Sequence, residues 1–311
     1  MMAAPFPLPS GVAADALLRE LRRLSWGAAD ILRAYARGET PPYGFSAALS
    51  VDHGGEGPVS AADLAVNSWL LDGLARAFPA AGWSLLSEET AKEQLQEGVP
   101  LPAEWLWILD PLDGTRDFLR GSGEYAVHLA LVRDHVAVLG VVVLPEREEL
   151  WFGLPGARGP EGGEAWGENR AGERFPVRFS PRRELGELVL VASRNHRDER
   201  LERLLEALPL ADTLAMGSVG GKVASILRGE SDLYISLSGR SAPKDWDMAA
   251  PEALLRAAGG GFSHADGRPL RYNTGDVRQA GCLLASHGYA HAELCARAAA
   301  ALAAIDPGFA V

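Results

Sequence analysis

Asp110 and Asp113 lie within one short stretch, Trp107-Ile108-Leu109-Asp110-Pro111-Leu112-Asp113-Gly114-Thr115-Arg116-Asp117-Phe118. The apolar residues Leu106 to Leu109 read as a buried strand, broken by the proline and glycine that follow. Two carboxylates so close repel each other unless cations lie between them. Mg²⁺ is a hard cation that prefers oxygen ligands and shares them with substrate phosphates. The stretch therefore reads as a metal site at the C-terminal end of a strand. Gly114 and Thr115 offer backbone N–H groups where a helix could begin, which suits an anion. Asp-Pro-x-Asp-Gly is also good turn chemistry, and on these residues alone that reading stays open.

Two other acidic features bear on the same chemistry. Glu88 and Glu89 follow an expected strand, Trp83 to Leu86. Far downstream, Lys244-Asp245-Trp246-Asp247-Met248-Ala249-Ala250 puts Asp247 at the start of an expected helix. Taken singly, Asp247 could be no more than a helix cap worth about 1 kcal/mol.

The elements that must position these acids follow from apolar spacing. Val12 to Arg37 is expected to be a helix, with Ser10 as its N-cap. Ser60-Ala61-Ala62-Asp63 opens a second helix, its Ser60 and Asp63 spaced like an acidic variant of a capping box. Strands are expected at Tyr125–Arg133, Val136–Leu144 and Glu149–Leu154, and a glycine-rich loop with a short hairpin at Pro155–Gly172. From about Leu188 strands and helices alternate: Val189–Ala192, Asp198–Leu208, Leu233–Leu237, Met248–Ala258, Leu283–Ala285 and His291–Ala304. Such alternation predicts an α/β layered architecture. A boundary near Ser180-Pro181 divides the chain into halves 1–180 and 181–311.

The chain has 311 residues, 47% of them hydrophobic and 23% charged, which is ordinary for a globular protein with a sizeable core. A net charge of −11 argues against non-specific nucleic-acid binding, which needs a basic face. It leaves room for a small anionic substrate held by local cations and bound metal. The two cysteines, Cys282 and Cys295, have no zinc spacing and read as two reduced, buried thiols, a single disulfide being the alternative. The Pro-rich start has neither a basic n-region nor an apolar h-region, and no apolar run reaches the length of a membrane span. A cytoplasmic protein is expected.

In order, Glu88-Glu89, Asp110-Pro111-Leu112-Asp113-Gly114-Thr115 and Trp246-Asp247-Met248-Ala249-Ala250 resemble the acidic pair, D-P-x-D-G-[TS] and W-D-x-A-A of the inositol monophosphatase-like phosphatases. These are Mg²⁺-dependent, lithium-sensitive enzymes. The resemblance runs from about Ser60 to about Ser286. Within the superfamily three stretches are most similar to the 3′(2′),5′-bisphosphate nucleotidases. Ser193-Arg194-Asn195-His196 resembles a Ser-Arg-Ser-His signature, with Asn195 for the second serine. Gly217-Ser218-Val219-Gly220-Gly221-Lys222 resembles a Gly-rich turn ending in lysine. Lys244-Asp245-Trp246-Asp247 with Ala250-Pro251-Glu252 resembles a Lys-x-Trp-Asp…Ala-Pro-Glu run.

The resemblance implies a layered α-β-α-β-α sugar-phosphatase fold, like that of inositol monophosphatase and fructose-1,6-bisphosphatase, with the site between the halves. It implies two or three Mg²⁺ ions on Glu88, Asp110, the Leu112 carbonyl, Asp113 and Asp247. It implies that Thr115 orients the attacking water, that Asp63 hydrogen-bonds Thr115, and that no covalent enzyme intermediate forms. Asp63 could also serve only as a cap. Gly114 and Thr115 would hold the scissile phosphate through backbone N–H groups. A second phosphate on the substrate would suit Arg194, His196, Ser218, Lys222 and Lys244. Bland readings compete: Arg194 and His196 as solvated polar residues at a strand end, Lys244 on the surface, Lys222 opening an amphipathic helix. His128, among Val127, Leu129 and Leu131, reads as a packed, hydrogen-bonded residue. Trp105, Trp107 and Trp246 read as core or wall aromatics, and Glu89 and Asp117 as acids in the surroundings of the site.

The expected activity is removal of the 3′-phosphate of adenosine 3′,5′-bisphosphate to give AMP, extending to the 3′-phosphorylated sulfate donor. The alternatives are an inositol or sugar phosphatase, a non-catalytic phospholigand sensor, which should have lost a ligand, and a glycosidase, whose acids should flank a glycosidic bond rather than crowd one turn. The partner is a small phosphorylated molecule, not nucleic acid or membrane. The resemblance also implies a homodimer.

Overall fold

The structure, a computed structural model, describes residues 7–46, 51–52, 59–157, 162–195, 197–238 and 242–309. In chain order the elements are α1 (Ala14–Ala36), β1 (Val51–Asp52), β2 (Val59–Ser60), α2 (Ala61–Ala77), β3 (Ser84–Ser87), α3 (Ala91–Gln94), β4 (Trp105–Asp113), α4 (Thr115–Leu119), β5 (Ala126–Arg133), β6 (Val136–Leu144), β7 (Glu149–Pro155), β8 (Gly163–Glu168), β9 (Arg174–Pro176), β10 (Val189–Ser193), α5 (Glu199–Ala207), β11 (Asp212–Met216), α6 (Val219–Leu227), β12 (Leu233–Ser238), α7 (Asp245–Ala257), β13 (Gly261–His264), β14 (Gly281–Ser286) and α8 (His291–Ile305).

Two sheets carry the fold. One runs β3-β4-β5-β6-β7-β8-β9, and the other β11-β10-β12-β14-β13. In the first, only β3 and β4 are parallel. Every residue of β4 is buried, because both faces of the sheet are covered. Trp105, Trp107 and Leu109 point to a core shared with α1 and α2. Leu106 and Ile108 point the other way, into a core built with α6, α7 and residues of the second sheet such as Val191, Tyr234 and Leu283. The outer face of the second sheet packs on α5 and α8, where Cys282 and Cys295 are buried as free thiols. The order of layers is thus α1/α2, first sheet, α6/α7, second sheet, α5/α8, the α-β-α-β-α arrangement the resemblance implied.

Helix α6 is buried along its whole length, as expected for a helix clamped between two sheets. Helix α7 lies against β6, β7 and β8 because glycines line its path. A Cβ on Gly153 would come within 2.6 Å of Leu254 Cα, and one on Gly163 within 2.4 Å of Ala257 Cα. The glycine-rich stretch expected to be a loop with a short hairpin does fold back antiparallel on β7, as the sheet strand β8, whose small residues make room for α7. Ser10 does not cap α1; the N-cap position is Ala13, without a side-chain hydrogen bond. No helix among the described residues is long and apolar enough to cross a membrane.

Candidate metal and phosphate site

The strand expected to break at Pro111 continues to Asp113, with an irregularity in its ladder. Asp110 pairs with His128 and Asp113 pairs with Ala126. Three steps on β4 therefore match two on β5, so β4 carries one extra residue, a bulge. Residues three apart on a regular strand face opposite sides of a sheet. The extra residue brings Asp110 and Asp113 to the same face, the one toward α6 and α7. Pro111, which cannot donate to a ladder, sits at this irregularity, where it is tolerated.

Parallel pairing places the next acid. Ser87 lies beside Leu109, so one residue further on Glu88 comes abreast of Asp110. Asp247 arrives from the third position of α7. Its Oδ2 accepts a hydrogen bond from the Lys244 N–H at 2.6 Å, closing a capping box. It is also more than a cap: ligand atoms of Asp110, Asp113 and Asp247 lie within 4.8 Å of one another. Asp110 Oδ2 is buried without a hydrogen-bond partner, the kind of oxygen a cation would satisfy. The donor set is all carboxylate, suited to a hard divalent ion.

Electrostatics reflect that crowding. Burial first, then Glu88, Asp113 and Asp247, push the Asp110 carboxyl well above its usual range. Burial with Asp247 and Glu89 nearby pushes Glu88 up to about 8, and burial beside Asp113 pushes Asp247 up to about 6. Burial alone would raise Asp113 too. His128, Lys222 and the Gly220 N–H outweigh it and hold Asp113 below its usual value. Asp113 Oδ2 accepts from the N–H of Val219 at 2.5 Å and of Gly220 at 3.1 Å, the first turn of α6.

Gly114 follows with φ +94°, a left-handed conformation in which a side chain would be strained. It opens α4, whose first residue, Thr115, donates its hydroxyl toward Leu112 O at 3.1 Å and Asp63 Oδ1 at 3.4 Å. Asp63 is 3% exposed and belongs to the first turn of α2.

A profile of the inositol monophosphatase family matches residues 15–303. The chain belongs to the inositol monophosphatase family. It is 32% identical over 218 residues to the 3′(2′),5′-bisphosphate nucleotidase CysQ of Escherichia coli K12, covering 69% of this chain and 79% of that one. It is 32% identical over 216 residues to the 3′-phosphoadenosine 5′-phosphate phosphatase of Mycobacterium leprae, covering 68% and 72%. Among solved structures it is similar to the Thermotoga maritima IMPase TM1415, with TM-score 0.69 and 21% identity over 93% of this chain and 99% of that one. The protein is thus a phosphatase of the inositol monophosphatase family, and the layers above are those of that fold.

The expected substrate residues divide. Lys244 stands at the start of α7, half-buried, its Nζ 5.1 Å from the centre of the Trp246 ring. His196 lies outside the described residues. Three others are engaged within the protein. Ser218 Oγ caps α6 by accepting from the Gly221 N–H at 2.9 Å, and the residue is 1% exposed. Lys222 turns inward, also 1% exposed, and donates to the carbonyls of Gly217 at 2.7 Å and Ser218 at 3.2 Å. Burial pulls its ammonium down to about 8. Arg194 donates to Asp117 at 2.9 Å and pairs with Glu124 at 2.7 Å. Ser218, Lys222 and Arg194 thus each have partners within the protein, Ser218 and Lys222 buried at the Gly217–Lys222 turn and Arg194 exposed at the strand end beside it. The departure at Asn195 fits this network: its amide donates to Asp117 at 2.5 Å and accepts from Arg120 at 2.7 Å.

Sequence reasoning missed one member of the site. Glu124 holds both Arg194 and, through Oε2, the Gly217 N–H at 2.9 Å. His128, expected to be packed and hydrogen-bonded, is fully buried against the Trp246 carbonyl. Its nearness to Asp113 was signalled only by its place across the ladder from Asp110, visible once the pairing is known.

Proposed function

We propose that the protein is a Mg²⁺-dependent 3′(2′),5′-bisphosphate nucleotidase that hydrolyses adenosine 3′,5′-bisphosphate to AMP. The chemistry rests on one observation, the convergence of Asp110, Asp113 and Asp247, whose ligand atoms lie within 4.8 Å. The substrate rests on the names of the two relatives at 32% identity.

Glu88, Asp110, the Leu112 carbonyl, Asp113 and Asp247 would hold the ions. A bound divalent ion supplies an acidified water and charge stabilisation for the leaving oxygen. The protein's own residues do the rest. Thr115 has one hydroxyl proton and two acceptors for it, Asp63 and Leu112 O. With the proton directed to either, its lone pairs face outward to accept from a water. Asp63 is the buried carboxylate able to take a proton relayed through that hydroxyl. Gly114 and Thr115 offer N–H groups to the phosphate at the start of α4. Lys244, beside Asp247, suits the non-reacting part of the substrate. The same site would accept the 3′-phosphorylated sulfate donor.

Phosphate release from adenosine 3′,5′-bisphosphate, inositol 1-phosphate, inositol 1,4-bisphosphate and fructose 1,6-bisphosphate, each with and without Mg²⁺, tests this. The nucleotide should be turned over best, with AMP as product, and chelation should abolish release. Better turnover of inositol 1-phosphate would reassign the substrate. Asp110→Asn should lower activity by at least about 100-fold, at or beyond the upper end of the range for losing a partner of a metal ligand. Full activity in that variant would overturn the metal assignment.

A further inference from the structure

His128 is fully buried on β5, directly across the ladder from Asp110. Its Nε2 lies 3.2 Å from Asp113 Oδ2 and its Nδ1 lies 3.3 Å from the carbonyl oxygen of Trp246, the residue before Asp247. One rigid ring thus touches an acid of β4 and the first turn of α7. The Gly-rich turn is shaped to admit it: a Cβ on Gly220 would fall 2.4 Å from His128 Nε2. Gly220 also donates its N–H to the Asp113 oxygen that faces the ring. We propose that His128 is a positioning residue that sets the separation of Asp113 and Asp247, and so the affinity of the acidic cluster for its divalent ion. Nε2 lies at ion-pair distance from Asp113 outside hydrogen-bond geometry, and Nδ1 reaches the Trp246 carbonyl, so the ring sets its two nitrogens against polar atoms of different elements. The backbone carbonyl of Trp246 has no rotamer to escape into, and the Asp113 carboxylate is tethered by two N–H groups, so a change in the ring moves one acid relative to the other. Partners of metal ligands typically contribute 10–100-fold in metal affinity or activity.

This inference rests on the metal reading above, and calorimetric titration with Mg²⁺ separates the two. If the wild-type protein does not bind Mg²⁺, the metal reading itself fails. If it does, His128→Phe, which keeps the ring shape but no donor, should bind Mg²⁺ about 10–100-fold more weakly. His128→Gln, which can place an N–H near the former Nε2, should recover most of that loss. Gly220→Ala, which pushes on the ring while leaving His128 in place, should weaken binding in the same direction. Saturating Mg²⁺ should restore most of kcat in each, while the metal-free melting temperature reports folding separately. A folded His128→Phe protein with the wild-type metal constant would overturn the inference. Should that variant not fold, His128→Met takes its place under the same criterion. Failure of both to fold beside a stable His128→Gln would also count against it, since the ring would then serve the core.

Discussion

Glu88 lies within electrostatic reach of the Asp110, Asp113 and Asp247 cluster, and the four do not ionise alike. Asp113 is held low by His128, Lys222 and the α6 N–H groups, whereas burial and neighbouring acids hold Asp110 well above its usual range, Glu88 up to about 8 and Asp247 up to about 6. A divalent ion must displace the protons that the raised acids retain. Apparent Mg²⁺ affinity should therefore rise by more than about tenfold between pH 6 and pH 8, as the ionised share of Glu88 climbs from very little toward one half. An affinity flat across that range would contradict the assignment of Glu88 as a ligand. The sign for folding is opposite. Glu88 binds its proton more tightly when folded than at its ordinary value of 4.5, so the stability it lends is present below that value and is lost as pH rises through about 8. The metal-free protein should lose melting temperature over this window, and Mg²⁺ should offset the loss. The acids themselves were legible in the sequence, because Glu88-Glu89, Asp110 to Thr115 and Trp246-Asp247 are short local runs. The internal partners of Lys222 and Arg194 were not: a charged side chain gives no local sign of which carbonyl or carboxylate it meets.

Helix α7 carries Asp247, and its height above the first sheet decides where that carboxylate lands. Three glycines on adjacent strands, Gly140, Gly153 and Gly163, lie beneath it. Each would bring a Cβ within 2.6 Å of the helix, and the atoms met include backbone of Ala250, Leu254 and Ala257, which cannot swing aside. Gly153→Ala should therefore destabilise by about 1–3 kcal/mol through overpacking. It should also weaken Mg²⁺ binding, because the helix must lift or slide to accommodate the methyl. Calorimetry and metal titration on the same variant check both; an unchanged metal constant would mean that α7 relaxes without carrying Asp247 with it. These glycines explain why β8 was hard to recognise: Gly163-Glu164-Ala165-Trp166-Gly167-Glu168 is small where it meets α7 and has no run of β-branched residues. Strand β11, Asp212–Met216, was missed for another reason. It is an edge strand with mostly exposed residues, so the apolar alternation that betrays a strand is weak. Where both faces are covered, as in β5 and β6, the expected and observed spans nearly coincide.

At the scale of the whole chain, the alternation of helices and strands after about Leu188 pointed to α/β layering and the family resemblance implied the order of the layers, but the sharing of one core between the halves was legible in neither. Residues of the first sheet, Ile108, Ala130, Val142 and Trp151, pack with α6 and α7 and with Val191, Tyr234, Leu283 and Ala285 of the second sheet in one cluster. The halves 1–180 and 181–311 would each expose an apolar layer if parted. Two sheets with separate cores would melt in two steps; two sheets on a shared core should melt in one. Scanning calorimetry of the chelated protein should give a single transition whose calorimetric and van't Hoff enthalpies agree. Because Asp113 and Asp247 come from opposite halves, an Mg²⁺ ion held by both would bridge the division and should shift that transition upward as a unit, by an amount that grows with the logarithm of its concentration above Kd. An isolated 1–180 fragment lacks α6 and α7, leaving the glycine groove and the inner face of the first sheet uncovered, and should not give a cooperative transition of its own. Two resolved transitions in the full chain, with Mg²⁺ moving only one of them, would show that the halves fold independently and that the shared core is not what joins them.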